Sequence, residues 1–132
     1  MIKSAEEFIS LRTSELPNEY MRAAHEDAPV DVWLDVISKF PEMREWVALN
    51  KFVPLSILEI LALDTNEDVR FAVAMKRRLS PELFELLSRD KSEIVRHRIV
   101  WNRKTPVHIL KRLVNDPMMF IREDALKRVE NL

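Results

Sequence analysis

Apolar residues follow helical three- and four-residue spacing along most of the chain, and from residue 29 onward the same apolar columns recur every twenty-six residues. Ile57, Leu83 and Ile109 form one column, Leu58, Phe84 and Leu110 the next, and Leu61, Leu87 and Leu113 a third. Residues so spaced share one helix face, so each set predicts a short amphipathic helix. A second set follows each time: Val69, Val95 and Ile121, then Val73, Ile99 and Ala125, with Ala74, Val100 and Leu126 beside them. Val32, Trp33 and Val36 extend the first pattern upstream with a shift of one residue. Two helices of two to three turns per repeat are marginal alone and stand by packing on their neighbours. The expected fold is all-α: an α-solenoid of four repeats of about 26 residues, each unit closing a core that none closes alone.

Polar residues punctuate this pattern. Pro29, Pro54, Pro81 and Pro106 open the first helices, where a missing amide hydrogen costs nothing. Asp64, Asp90 and Asp116 separate the two helices and are expected to N-cap the second, with Glu67 and Glu93 three residues on. Asn50 and Asn102 share a column with Lys76 and Arg128 at the ends of second helices, where asparagine is expected in the left-handed cap conformation, bonding the turn. Upstream, Ser4 and Glu7 form a capping box for a helix reaching about Thr13, and Pro17 starts another. These two helices do not fit the repeat. The chain therefore reads as a single domain, 1–132, with a helical cap over 1–28 and four repeats over 29–132.

Composition narrows the chemistry. With 47% hydrophobic and 33% charged residues the chain is globular rather than disordered. It has no cysteine, which excludes disulfides, thiolate metal sites and cysteine nucleophiles. It has no glycine either, so phosphate-cradling loops, dinucleotide fingerprints and the nucleophile elbow are excluded, and tight hairpins are disfavoured. His25, His97 and His108 have no metal-ligand spacing, and Asp31 and Asp35 read as a solvated helix face rather than an acid–base pair. No catalytic residue, metal or cofactor is expected. The start of the chain turns acidic before any long apolar run, which makes the cytosol the expected compartment, with no membrane partner.

Charge is distributed unevenly: residues 1–40 carry four basic and eight acidic side chains, 41–80 six and six, and 81–132 eleven and eight. The arginine column Arg44, Arg70, Arg96 and Arg122 sits six residues beyond its aspartates where these are present, and reads as an Arg–Asp ladder fixing the stacking register. Arg77, Arg78, Arg103 and Lys104 exceed what helix dipoles call for and form a candidate edge for an anionic partner such as nucleic acid. Trp46, Phe71, Met118, Met119 and Phe120 lie outside the regular core columns and are candidate anchors for a protein partner. The acidic residues Glu19, Glu26, Asp27, Asp31 and Asp35 are candidates for steering a basic one.

The unit Val95-Arg96-His97-Arg98-Ile99-Val100-Trp101-Asn102-Arg103-Lys104-Thr105-Pro106, followed by Ile109, Leu110 and Leu113, resembles the leucine-rich repeat variant, a short relative of HEAT-type repeats. The resemblance covers about residues 29–132. It implies a non-enzymatic binding module, and small bacterial proteins built this way resemble immunity proteins that neutralise toxins. Family members can carry an iron–sulfur cluster on an N-terminal cysteine segment; this chain, without cysteine, departs from that pattern.

Overall fold

The computed structural model describes all 132 residues and contains ten α-helices, one 3-10 turn and no strand. The fold is all-α. The chain divides into two compact units, Met1–Leu63 and Asp64–Leu132.

The first unit holds α1 (Ala5–Thr13), α2 (Pro17–His25), α3 (Val30–Lys39), a 3-10 turn (Pro41–Met43), α4 (Arg44–Leu49) and α5 (Leu55–Leu61). Ser4 accepts from the Glu7 amide at 3.0 Å, while Glu7 reaches back to the Lys3 amide at 3.1 Å, so two free donors at the start of α1 are satisfied. Phe8 and Leu11 of α1 are buried with Val32, Trp33 and Val36 of α3, and Phe8 meets Trp33 edge to face at 5.3 Å. Val47 and Ala48 of α4 and Ile57, Leu58 and Leu61 of α5 complete this core.

The second unit holds α6 (Glu67–Ala74), α7 (Pro81–Ser88), α8 (Glu93–Trp101), α9 (Val107–Leu113) and α10 (Met119–Glu130). Helix α8 packs against both α6 and α10, and α7 packs against α9, giving two layers joined by α7–α8 and α9–α10 contacts. Leu83, Phe84, Leu87, Ile109, Leu110 and Leu113 bury one layer's apolar face, and Val69, Val73, Val95, Ile99, Val100, Ile121 and Ala125 the other's. Removing such faces from water at about 25 cal/mol per Å2 is what holds helices this short.

The aspartates do not cap helices as the spacing predicts. The N-caps of α6, α8 and α10 are Asn66, Ser92 and Met118, two residues further on. Asp64, Asp90 and Asp116 instead accept from the amides of those residues at 2.9 Å each and tighten the turn. Two of the three also pair with arginines. Arg70 donates Nη1 to the carbonyls of Asp64 and Thr65, and closes Nε and Nη2 on the Asp90 carboxylate at 2.8 and 3.2 Å. Arg96 repeats this, with Nη1 on the Asp90 carbonyl and Nε and Nη2 on Asp116 at 2.9 and 3.3 Å. Asp90 and Asp116 thus serve the fork and their own turn at once, and the following helix begins two residues later. Arg122 makes the carbonyl half of the pattern, to Asp116 and Pro117, and Arg44 donates to the Ile37 carbonyl.

The asparagine column differs in backbone as well. No residue has positive φ; Asn50 and Asn102 are extended, at φ −63° and −71°. Their side chains accept from the amide two residues on, as the turn requires, and their amide groups donate backward. Asn102 bonds the Ala74 and Lys76 carbonyls at the end of α6, and Asn50 bonds the Ala23 and Glu26 carbonyls at the end of α2. Arg128 makes the equivalent bonds to Val100 and Asn102. A left-handed backbone would aim the amide away from these carbonyls, so satisfying the neighbouring helix end decides the conformation. Helix α2, which has no repeat signature in its sequence, thus receives the same contact as α6.

Candidate functional site

On the surface shared by α8 and α10, three side chains gather around His97. Its Nε2 lies 2.7 Å from Asp124 Oδ2, and its ring meets Phe120 edge to face at 4.9 Å and Trp101 at 6.4 Å. Residues 97 and 101 share a helix face, and 120 and 124 share another, so two i, i+4 pairs meet across the α8–α10 contact. The carboxylate selects the imidazole tautomer with hydrogen on Nε2. The Trp101 Nε1, 3.2 Å from that nitrogen, then finds no lone pair there. Asp124 stays below its ordinary pKa, first through the hydrogen bond from His97, with Lys127 and Trp101 adding to it.

The cluster is open to solvent. Trp101 is 44% exposed and Phe120 39%, with Ile94 at 52% and Met119 at 61%. Large apolar side chains held by a hydrogen-bonded pair rather than by a core are suited to contact another surface. The His97–Asp124 pair contacts no hydroxyl nucleophile, and no three His, Asp or Glu side chains gather to hold a metal.

The sequence candidates distribute as follows. Met118 is partly buried at the start of α10, whereas Met119 and Phe120 are exposed. Phe71 of α6 is partly buried. Trp46 is not the open anchor its column suggests, because Arg12 of α1 lies over its ring at 3.4 Å; Trp101 is the more exposed tryptophan. The column Trp46, Ala72, Arg98 and Asp124 carries no common environment. Arg98 is partly buried with one guanidinium nitrogen lacking a partner, and burial lowers its pKa.

The acidic group in the first unit is weaker than its residue count suggests. Glu26 receives Arg22 at 2.7 Å and the Met1 amine at 2.8 Å, which lower its pKa to about 2. Glu19 accepts from Ser14, and Asp35 pairs with Lys39. Asp27 accepts from the Ala28 amide, and Asp31 is exposed without an ion pair. In the second unit Arg77, Arg78, Arg103 and Lys104 are all exposed and none joins an ion pair, while neighbouring Lys76 is partly buried and its pKa is lowered by burial.

His97, Trp101 and Asp124 escape sequence reasoning because they are twenty-seven residues apart or four within one helix, not in one column. The available signal was the offset of one beyond the period, which juxtaposes residues of successive second helices. No helix is long and apolar enough to cross a membrane. No protein-family model, curated protein or solved structure matches the chain.

Proposed function

We propose that this chain is a non-enzymatic helical-repeat module, an α-solenoid of four HEAT-like units behind a helical cap, that works by binding another protein. The observation that carries the reading is the exposed pair Trp101 and Phe120 against the hydrogen-bonded His97–Asp124 pair, with Ile94 and Met119 also exposed on the same two helices. Aromatic and methionine side chains presented together, with limited freedom because their neighbours fix them, are what interface centres are made of. A toxin-neutralising immunity protein of a bacterium is the specific form suggested by the repeat resemblance. The test is affinity capture from the native host with wild type and the Trp101→Ala/Phe120→Ala pair. A specific partner retained by wild type should be lost from the double variant, whose helical circular dichroism should stay unchanged. Equal retention by both proteins would remove this surface from the binding role.

A second reading rests on the four unpaired cations. Arg77, Arg78, Arg103 and Lys104 give the second unit an edge able to contact a phosphate backbone. Under this reading, binding to duplex DNA depends steeply on salt and disappears when the four are changed to glutamate. Under the favoured reading, any such affinity is weak at physiological salt.

A further inference from the structure

Within the first unit, α1, α2 and α4 enclose a groove of about 370 Å3 lined by Tyr20, Met21, Ala24, Leu49 and Trp46, with Arg12 as its only charged side chain. Its volume lies in the range of small-molecule sites, about 300–1,000 Å3. Arg12 is the anomaly. Its guanidinium stacks on Trp46 at 3.4 Å, yet it forms no hydrogen bond or ion pair, and its Nε is sealed from water without an acceptor.

Stacking uses the face of a guanidinium, whereas its five N–H donors lie in the plane, so the ring contact leaves the donor edge unsatisfied. Other arginines of this chain show what that edge takes. Arg22, Arg70 and Arg96 each close Nε and Nη2 on the two oxygens of one carboxylate. The sealed Nε is beyond a ligand's reach, but Nη1 and Nη2 also lack partners without being sealed, and a carboxylate can take both. The groove offers one cation and an otherwise apolar wall with one phenol, which suits a single negative charge on a hydrocarbon body better than a phosphate dianion.

We propose that this groove binds a small amphipathic monocarboxylate, its carboxylate on the two terminal nitrogens, Nη1 and Nη2, of Arg12 and its hydrocarbon body against Trp46, Tyr20 and Met21. The groove shares no residue with the α8–α10 surface, and the two proposals stand or fall independently.

Sodium decanoate serves as the probe, titrated into the full chain by calorimetry below its micelle-forming concentration, with 1-decanol as the uncharged control. Saturation at one decanoate per chain is expected. Arg12→Gln should weaken decanoate roughly ten- to hundredfold, the loss of a charge-assisted fork, while leaving decanol unchanged. Ala24→Met, which fills the groove without touching the arginine, should weaken both ligands. Absence of saturable decanoate binding to wild type overturns the proposal, as does equal affinity of wild type and Arg12→Gln. If Ala24→Met instead abolishes capture of a protein partner and decanoate does not bind, the groove belongs to that partner and the proposal fails.

Discussion

Replacing Arg70 with alanine is expected to destabilise the second unit by about 3–5 kcal/mol, the usual consequence of removing one member of a buried ion pair. Arg70 and Asp90 are 6% and 8% exposed at their side chains, and the arginine also holds the carbonyls of Asp64 and Thr65. Its loss leaves a desolvated carboxylate facing no cation and two carbonyls without a donor. The hydrogen bond to Asp90 further raises the arginine's pKa, so the guanidinium keeps its charge. Urea unfolding at pH 7 reads the effect. Arg96→Ala should move stability in the same direction, with Asp116 the stranded carboxylate at 4% exposed. A paired change, Arg70→Met with Asp90→Leu, removes both charges and should recover most of the loss. A cost below about 1 kcal/mol for Arg70→Ala would place the pair among surface bridges of little consequence.

The second large effect is expected at Asn102. This buried side chain donates to the Ala74 and Lys76 carbonyls at 2.9 and 2.7 Å and accepts from the Lys104 amide at 2.9 Å. Alanine there leaves three backbone groups without partners, and a cost of about 2–4 kcal/mol follows even if water reaches some of them. Aspartate has nearly the same shape and keeps the bond from Lys104, but it turns an anionic oxygen toward two carbonyl oxygens. Thermal unfolding should therefore rank Asn102→Asp at or below Asn102→Ala. An aspartate variant as stable as wild type would show that the amide's donors carry no weight. Asn50, which makes the corresponding bonds to Ala23 and Glu26, should repeat the ranking in the first unit.

The core was legible in the sequence because burial imposes periodicity: Ile57, Leu83 and Ile109 share one column and all three are buried. The Arg–Asp spacing was legible for the same reason, since a contact repeated in each unit leaves residues at a constant interval. What the aspartates do was not. A carboxylate three residues before a glutamate looks like a cap in one dimension, and only the position of Arg70 relative to Asp90 decides that it serves the neighbouring turn. Asn50 and Asn102 were read as turn residues correctly, but with a left-handed backbone, because sequence carries no trace of the carbonyls waiting at the preceding helix end.

The candidate sites were legible only in outline. Exclusion from the core columns flagged Met119 and Phe120, which are exposed, and also Trp46, which Arg12 covers. Arg12 lies outside any repeat, so nothing in the pattern could pair it with Trp46. Counting acidic residues also overstated the first unit's field, since Glu26 is held by two cations. The same periodicity that reveals a core is uninformative about side chains that do not recur.

Hydrogen exchange of the chain in complex with its captured partner tests the binding account most directly. The account predicts that added protection concentrates on α8 and α10, around residues 93–101 and 119–130, and that Trp101→Ala/Phe120→Ala removes it. Protection confined to other helices, with α8 and α10 exchanging as they do in the free chain, would contradict it.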